Sequence, residues 1–223
     1  MSEKTELEPC RTKTRSAVVL AGGRGRRMGM AEKTLLEFDG KTILEFLISS
    51  LSQAVDEIVV SVRDYSQETR LMHVIEKFPA CEIRFSYDST EGTGPLEGIR
   101  AGLLEISSEY AFVCAGDMPF INSSVVDLLF ENAEGHDAVV PKHKNGKFEP
   151  LHAVYSKRLI PKIEKALEKG KYSVLTPVFE LQDVVFVEVF EILKLDPELR
   201  TFMNINTVED LKQIAGYLAK KNT

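Results

Sequence analysis

Ser16 to Lys33 reads SAVVLAGGRGRRMGMAEK, and its change of character halfway along decides the fold. Ala17-Val18-Val19-Leu20 is a short apolar run rich in β-branched residues, the pattern of a strand buried on both faces. It breaks at Ala21-Gly22-Gly23, where small residues let the backbone turn sharply and approach a ligand. Arg24, Arg26 and Arg27 follow in the loop, and Lys33 ends it. A strand feeding a glycine-rich, cationic loop suits a polyphosphate, which accepts backbone N–H groups and fixed positive charge together. The stretch is not a Walker A motif, because the residue before Lys33-Thr34 is Glu32 and not Gly. Nor is it GxGxxG, since Met28 stands where the third glycine belongs.

Working outward, apolar runs alternate with amphipathic ones, which argues for one mostly parallel α/β domain over residues 16–223. Residues 1–15 read as a polar, disordered tail. Thr34 to Phe38 reads as a short strand, with a turn at Asp39-Gly40. A capping box at Thr42 and Glu45 opens the first helix. Strands are expected at Glu57–Val62, Cys81–Tyr87, Tyr110–Gly116, Asp137–Pro141, Leu151–Tyr155 and Gln182–Glu188. Helices are expected at Ser66–Phe78, Ile99–Ile106, Asn122–Asn132 and Lys157–Lys169, with a last one capped by Thr207. The segment KHKNGK, Lys142 to Lys147, reads as a basic hairpin tip around Asn145-Gly146.

The formal net charge of −6 argues against general nucleic-acid binding, which needs a basic surface. Cys10, Cys81 and Cys114 are odd in number and form no CxxC, so they read as reduced thiols of a cytoplasmic protein. No apolar run approaches the length of a membrane span, and the N-terminus has no signal-peptide core.

Ligands of open α/β sheets bind beyond the carboxyl ends of the strands. The Gly22 loop, the loop DSTEGTGPLEG from Asp88 to Gly98, and Asp117 all fall there. Asp117 ends an apolar strand and suits Mg²⁺, which often takes one or two protein carboxylates and completes its shell with phosphate and water. A capping role ahead of Asn122 is the alternative. Arg27 and Lys33 suit the charge of a triphosphate during attack at its α-phosphorus. Asp88 is matched to guanine, whose N1–H and N2–H₂ present a paired donor edge; an ordinary turn residue is the alternative. Gly94-Pro95 would shape the wall under the nucleotide.

These segments resemble a family. LAGGRGRRMGMAEKTLL (Leu20–Leu36) is similar to the LAGG-x3-RMG-x3-K signature of the molybdenum cofactor guanylyltransferases, the MobA-like nucleotidyltransferases. Asp88 with GPLEGI (Gly94–Ile99), CAGDMPF (Cys114–Phe120) and FMNINTVEDL (Phe202–Leu211) match further family segments in order. The resemblance implies a GT-A/Rossmann-like fold. It implies Mg²⁺-dependent transfer of GMP from GTP to molybdopterin carrying molybdenum, with release of pyrophosphate, and proteins that supply or receive the cofactor. It implies nucleotide contacts at Leu20, Ala21, Gly22, Gly23, Lys33, Asp88 and Asp117. Asp117 would hold the metal, and Asn206, or else Asn204, would be a second metal or acceptor ligand. Two positions depart from the family pattern: Ser61 replaces a nucleotide-contacting Asn, and Glu149-Pro150 replaces His-Pro. A same-fold enzyme using CTP or another phosphorylated acceptor, and a non-catalytic GTP-binding adaptor, are the alternative functions.

Overall fold

The computed structural model describes residues 14–22, 32–89, 92–205 and Asp210. Readings that fall on Gly23, Arg24, Arg26, Arg27, Asn206 and Thr207 lie outside these residues.

The first strand, β1 (Ser16–Leu20), lies in the interior of the sheet. It runs parallel to β4 (Glu57–Val62) on one side and to β6 (Tyr110–Ala115) on the other. Ala17 and Val19 pack on one face and Val18 on the other, all with no exposed surface. Burial on both faces explains why the run shows no polar alternation. Beyond β4 lies β5 (Glu82–Tyr87), again parallel. Beyond β6 come β8 (His152–Ser156), β7 (Ala138–Lys142) and β9 (Val184–Glu188), giving a seven-stranded sheet. Within it β8 alone runs against its neighbours β6 and β7, the consequence of the 142–148 hairpin. There His143 N–H donates to the Lys147 carbonyl, and Gly146 takes φ +85° at the tip.

The chain first builds outward from β1 to β4 and β5, then crosses to β6 on the other side. The strand order therefore reverses beside β1, and a crevice opens at the carboxyl ends of β1 and β6.

Helices α1 (Ile43–Leu51), α2 (Tyr65–Ile75) and α4 (Ser123–Glu131) cover the sheet face lined by Ala17, Val19, Ile58 and Val60. Helices α3 (Pro95–Glu105) and α5 (Ile160–Glu168) cover the face lined by Val18, Val59 and Val113. The α1 capping box forms as read, with Glu45 N–H donating to Thr42 Oγ1 and Thr42 N–H to Glu45 Oε2. Asn122 caps α4 through the Ser124 N–H.

Three local readings are corrected. Thr34–Phe38 is not one strand: Lys33–Leu35 is a 3₁₀ turn closed by Leu35 N–H on the Glu32 carbonyl, and only Glu37–Phe38 (β2) pairs, with Lys41–Thr42 (β3). The reading of a helix over Ile99–Ile106 placed its start too late, since α3 begins at Pro95. Pro95 sits in the first helical turn, where its fixed φ suits the helix and no N–H is missed. Two short helices, α6 (Leu175–Val178) and α7 (Val189–Ile192), lie where no helix was expected. No helix of the described residues is long and apolar enough to cross a membrane.

Candidate active site

Those of the expected residues that are described gather at the carboxyl ends of four adjacent strands. Leu20 ends β1, and its carbonyl accepts from the Gly116 N–H just past β6. Ala21 N–H donates to the Ser61 carbonyl on β4, and Asp88 N–H to the Val62 carbonyl. The strand tips are thus tied together by backbone bonds, and the side chains leaving them have fixed origins.

Asp117 leaves the tip of β6. The Lys33 ammonium reaches it from the 3₁₀ turn, with Nζ 3.1 Å from Oδ2. Both side chains remain partly accessible, so a ligand can reach them. The turn sits close against Gly116: a Cβ there would lie 2.9 Å from Thr34 Cγ2 and 2.9 Å from the Leu20 carbonyl. A larger residue would lift the turn and carry Lys33 with it.

Asp88 leaves the tip of β5. Its Oδ1 accepts from Ser61 Oγ at 3.2 Å. Its Oδ2 faces Gly22, where a Cβ would come within 2.8 Å. Glycine at position 22 therefore makes room for the carboxylate. Burial raises the Asp88 carboxyl above its ordinary value, and the negative charge of Glu97 adds to this; Ser61 and Arg63 oppose it. Gly94 and Pro95 begin α3, and the next turn brings Gly98 beside Ser61 Oγ and Asp88 Oδ1. Glu97, almost fully buried, accepts from Ser89 and Arg100 and pins the residue after Asp88 to the helix.

The C-terminal segment returns to the same place. Ile205 N–H donates to the Asp117 carbonyl at 2.9 Å, which sets the exposed Asn204 next to the β6 tip. The KHKNGK hairpin is less open to an anion than its composition suggests. Glu149 accepts from His143 Nε2 and from Lys147 Nζ, both at 2.8 Å, so the histidine and one of the lysines already have a carboxylate partner.

Sequence reading passed over three contributors. Arg63, two residues beyond Ser61, donates to the Gly22 carbonyl. Gln67, buried in the first turns of α2, donates to the Ala21 carbonyl. Glu32 accepts from both. Each is polar on a segment with an adequate surface reading, and their partners lie dozens of residues away.

One carboxylate at a strand tip beside a lysine is a donor set suited to Mg²⁺ when a bound phosphate supplies the remaining oxygens. Among the described residues no three His, Cys, Asp or Glu side chains gather to hold a metal by themselves. Asp88 and Asp117 end strands three places apart in the sheet, roughly 14 Å at the usual inter-strand spacing. That span accommodates a base at one end and phosphates at the other.

Residues 17–184 match the family model described as "MobA-like NTP transferase domain". A protein of Methanosarcina mazei named "Probable molybdenum cofactor guanylyltransferase" is 63% identical over 221 residues, 99% of each chain. One of the same name from Methanosarcina acetivorans is 64% identical over 222 residues, also 99% of each. The crystal structure of molybdopterin-guanine dinucleotide biosynthesis protein A from Archaeoglobus fulgidus superposes with TM-score 0.77 at 35% identity, covering 92% of this chain and 99% of that one. The chain belongs to the MobA-like NTP transferases.

Proposed function

We propose that this protein transfers GMP from GTP to the terminal phosphate of molybdopterin carrying molybdenum, forming the guanine dinucleotide cofactor and pyrophosphate. The observation that carries the reading is the Lys33–Asp117 pair, 3.1 Å apart at the carboxyl end of β6. The names of the full-length relatives support the acceptor and the nucleotide.

In this reading Asp88 accepts from the guanine edge, and the turn from Leu20 to Gly23 holds the phosphates. Gly94 and Pro95 form the wall beneath the nucleoside. An oxygen of the acceptor phosphate attacks the α-phosphorus of GTP in line, and the bond from that phosphorus to the β-phosphate oxygen breaks. Pyrophosphate leaves with the bonding electrons. The nucleophile is already ionised near neutral pH, so no general base is assigned. Lys33 and Arg27 neutralise the charge that builds on the phosphates, usually the largest contribution in this chemistry. Asp117, joined by Asn206, would hold Mg²⁺, which when bound offsets phosphate charge and keeps the α-phosphate electrophilic. A cytoplasmic location fits these substrates, as do protein donors and recipients of the cofactor.

The test is incubation of the purified protein with Mg²⁺-GTP and molybdopterin, followed by chromatography for the dinucleotide. Substituting CTP separates the guanylyl reading from its cytidylyl counterpart. Equal transfer from both nucleotides, or none from GTP, overturns it.

A further inference from the structure

Glu32 stands directly before Lys33, and its carboxylate is almost enclosed, with a side-chain exposure of 10%. Its Oε1 accepts from Arg63 Nη2 at 2.7 Å and from Arg70 Nη2 at 2.8 Å; its Oε2 accepts from Gln67 Nε2 at 2.7 Å. Two of these donors also grip the chain where it leaves β1. Gln67 Nε2 donates to the Ala21 carbonyl at 2.8 Å, and Arg63 Nη1 to the Gly22 carbonyl at 3.3 Å. Arg63 and Gln67 therefore each bridge residues 21–22 and residue 32, the two places where the glycine-rich segment joins the rest of the fold.

The bridge is anchored in rigid structure. Gln67 has no exposed surface, and its Oε1 accepts from the Arg63 N–H at 2.9 Å. The Arg63 bond uses the amide oxygen, and the two carbonyl and carboxylate partners use the amide nitrogen. The side chain can therefore adopt one orientation only. Asp64 caps α2 through the Gln67 N–H at 2.8 Å, which fixes the turn that carries Gln67. Charge-assisted bonds of the kind Glu32 accepts are the strong ones. Tying both ends of a loop also removes the entropy of bringing them together.

We infer that Glu32, clasped by Arg63 and Gln67, is a positioning residue that acts through Lys33. Glu32 is the residue before the turn, and its carbonyl accepts the Leu35 N–H that closes it. Where Glu32 is held, the Lys33 backbone is held, and with it the reach of Nζ to Asp117 and the phosphates. A displacement near 1 Å at such a group costs on the order of 100-fold in rate. No residue of the clasp is among those assigned to the reaction. The inference rests on the reading of Lys33 as a phosphate-binding cation.

The test is a double-mutant cycle with Glu32→Ala and Lys33→Met. It is read as kcat/KM for GTP with molybdopterin, and separately as the Kd of Mg²⁺-GTP without acceptor. Glu32→Ala is expected to lower kcat/KM by roughly tenfold or more, and Glu32→Gln, which keeps the shape and part of the acceptor capacity, to recover part of the loss. Combined with Lys33→Met, Glu32→Ala is expected to add nothing further, because its effect runs through that lysine. Losses that multiply in the double variant, or an unchanged kcat/KM in Glu32→Ala, overturn the inference. If Glu32→Ala does not fold, the same cycle with Glu32→Gln decides. A wild type that binds GTP but makes no dinucleotide defeats the proposed reaction alone, and the Kd cycle then still judges the clasp.

Discussion

The Lys33 ammonium and the Asp117 carboxylate meet at 3.1 Å although 84 residues separate them in the chain. One comes from the end of the glycine-rich segment and the other from the tip of β6. Each neutralises the other in the absence of ligand, so neither is a bare buried charge. A triphosphate with its metal would satisfy both separately, the metal taking the carboxylate and the phosphates the ammonium. Lys33→Met and Asp117→Ala should each lower kcat for pyrophosphate release by about 100- to 1,000-fold, the usual cost of removing one preorganised charge-stabilising group. Coupled detection of pyrophosphate checks this. Asp117→Ala with wild-type Mg²⁺-dependent turnover would show that the site is placed wrongly.

Asp88 should set the choice of base. It can accept from guanine with both oxygens while Ser61 donates to Oδ1. Asp88→Asn replaces an acceptor with a donor and leaves guanine's N–H groups facing an amide. The GTP preference over CTP in kcat/KM should fall by about 10- to 100-fold, matching the 1.5–3 kcal/mol of a hydrogen bond to a charged group. Because burial raises the Asp88 carboxyl, KM for GTP should begin to climb at a higher pH than an ordinary aspartate would give. A KM flat to pH 4 would count against it.

Much of this was legible because it was local. The β-branched run of β1, the Thr42–Glu45 box and the Asn122 cap each depend on residues within a few positions, and side-chain period or spacing encodes them. The place of Asp117 at a strand tip was legible because the apolar run from Tyr110 ends directly before it. The Glu32–Arg63–Gln67 contacts were not, since they join segments 31 to 35 residues apart and no periodicity records them. The turn at Lys33–Leu35 imitated a strand because Leu35 and Leu36 are apolar. Its backbone instead folds back on Glu32, and that choice is made by contacts with Gly116. Helix α7 follows β9 with no glycine or proline between them to announce it.

Chelation should separate activity from folding. Asp117 is the carboxylate assigned to the metal, and the Lys33 ammonium is a partner for it within the fold. EDTA should therefore abolish nucleotidyl transfer while leaving the thermal midpoint of the GTP-free protein within about a degree, since only binding to the native state shifts stability. Added Mg²⁺ should restore the rate. A large fall in the midpoint on chelation, measured by circular dichroism, would mean that a metal holds the fold together.

His152 should make the fold sensitive to mild acid. It sits on β8 with no exposed surface, its ring edge-on to Phe112 and Phe202 at 4.8 Å each. Nε2 meets the Thr201 hydroxyl at 3.1 Å, and Nδ1 has no partner among the described residues. Burial pushes its pKa down to about 3, against 6.5 in an exposed histidine. Below pH 6.5 the unfolded chain binds a proton that the folded one refuses. The stabilisation is complete above 6.5 and is lost progressively as pH falls towards 3, by about 1.4 kcal/mol per unit once below 6. The carboxylates that strengthen the fold, such as Glu45 held at about 2 against the burial that would raise it by bonds from Lys77 and Thr42, matter only below about 4.5. The interval from pH 6 to 4.5 therefore reports His152. Urea unfolding across that interval should show a falling midpoint in the wild type and a nearly level one in His152→Leu. An unchanged slope in the variant would assign the acid sensitivity elsewhere.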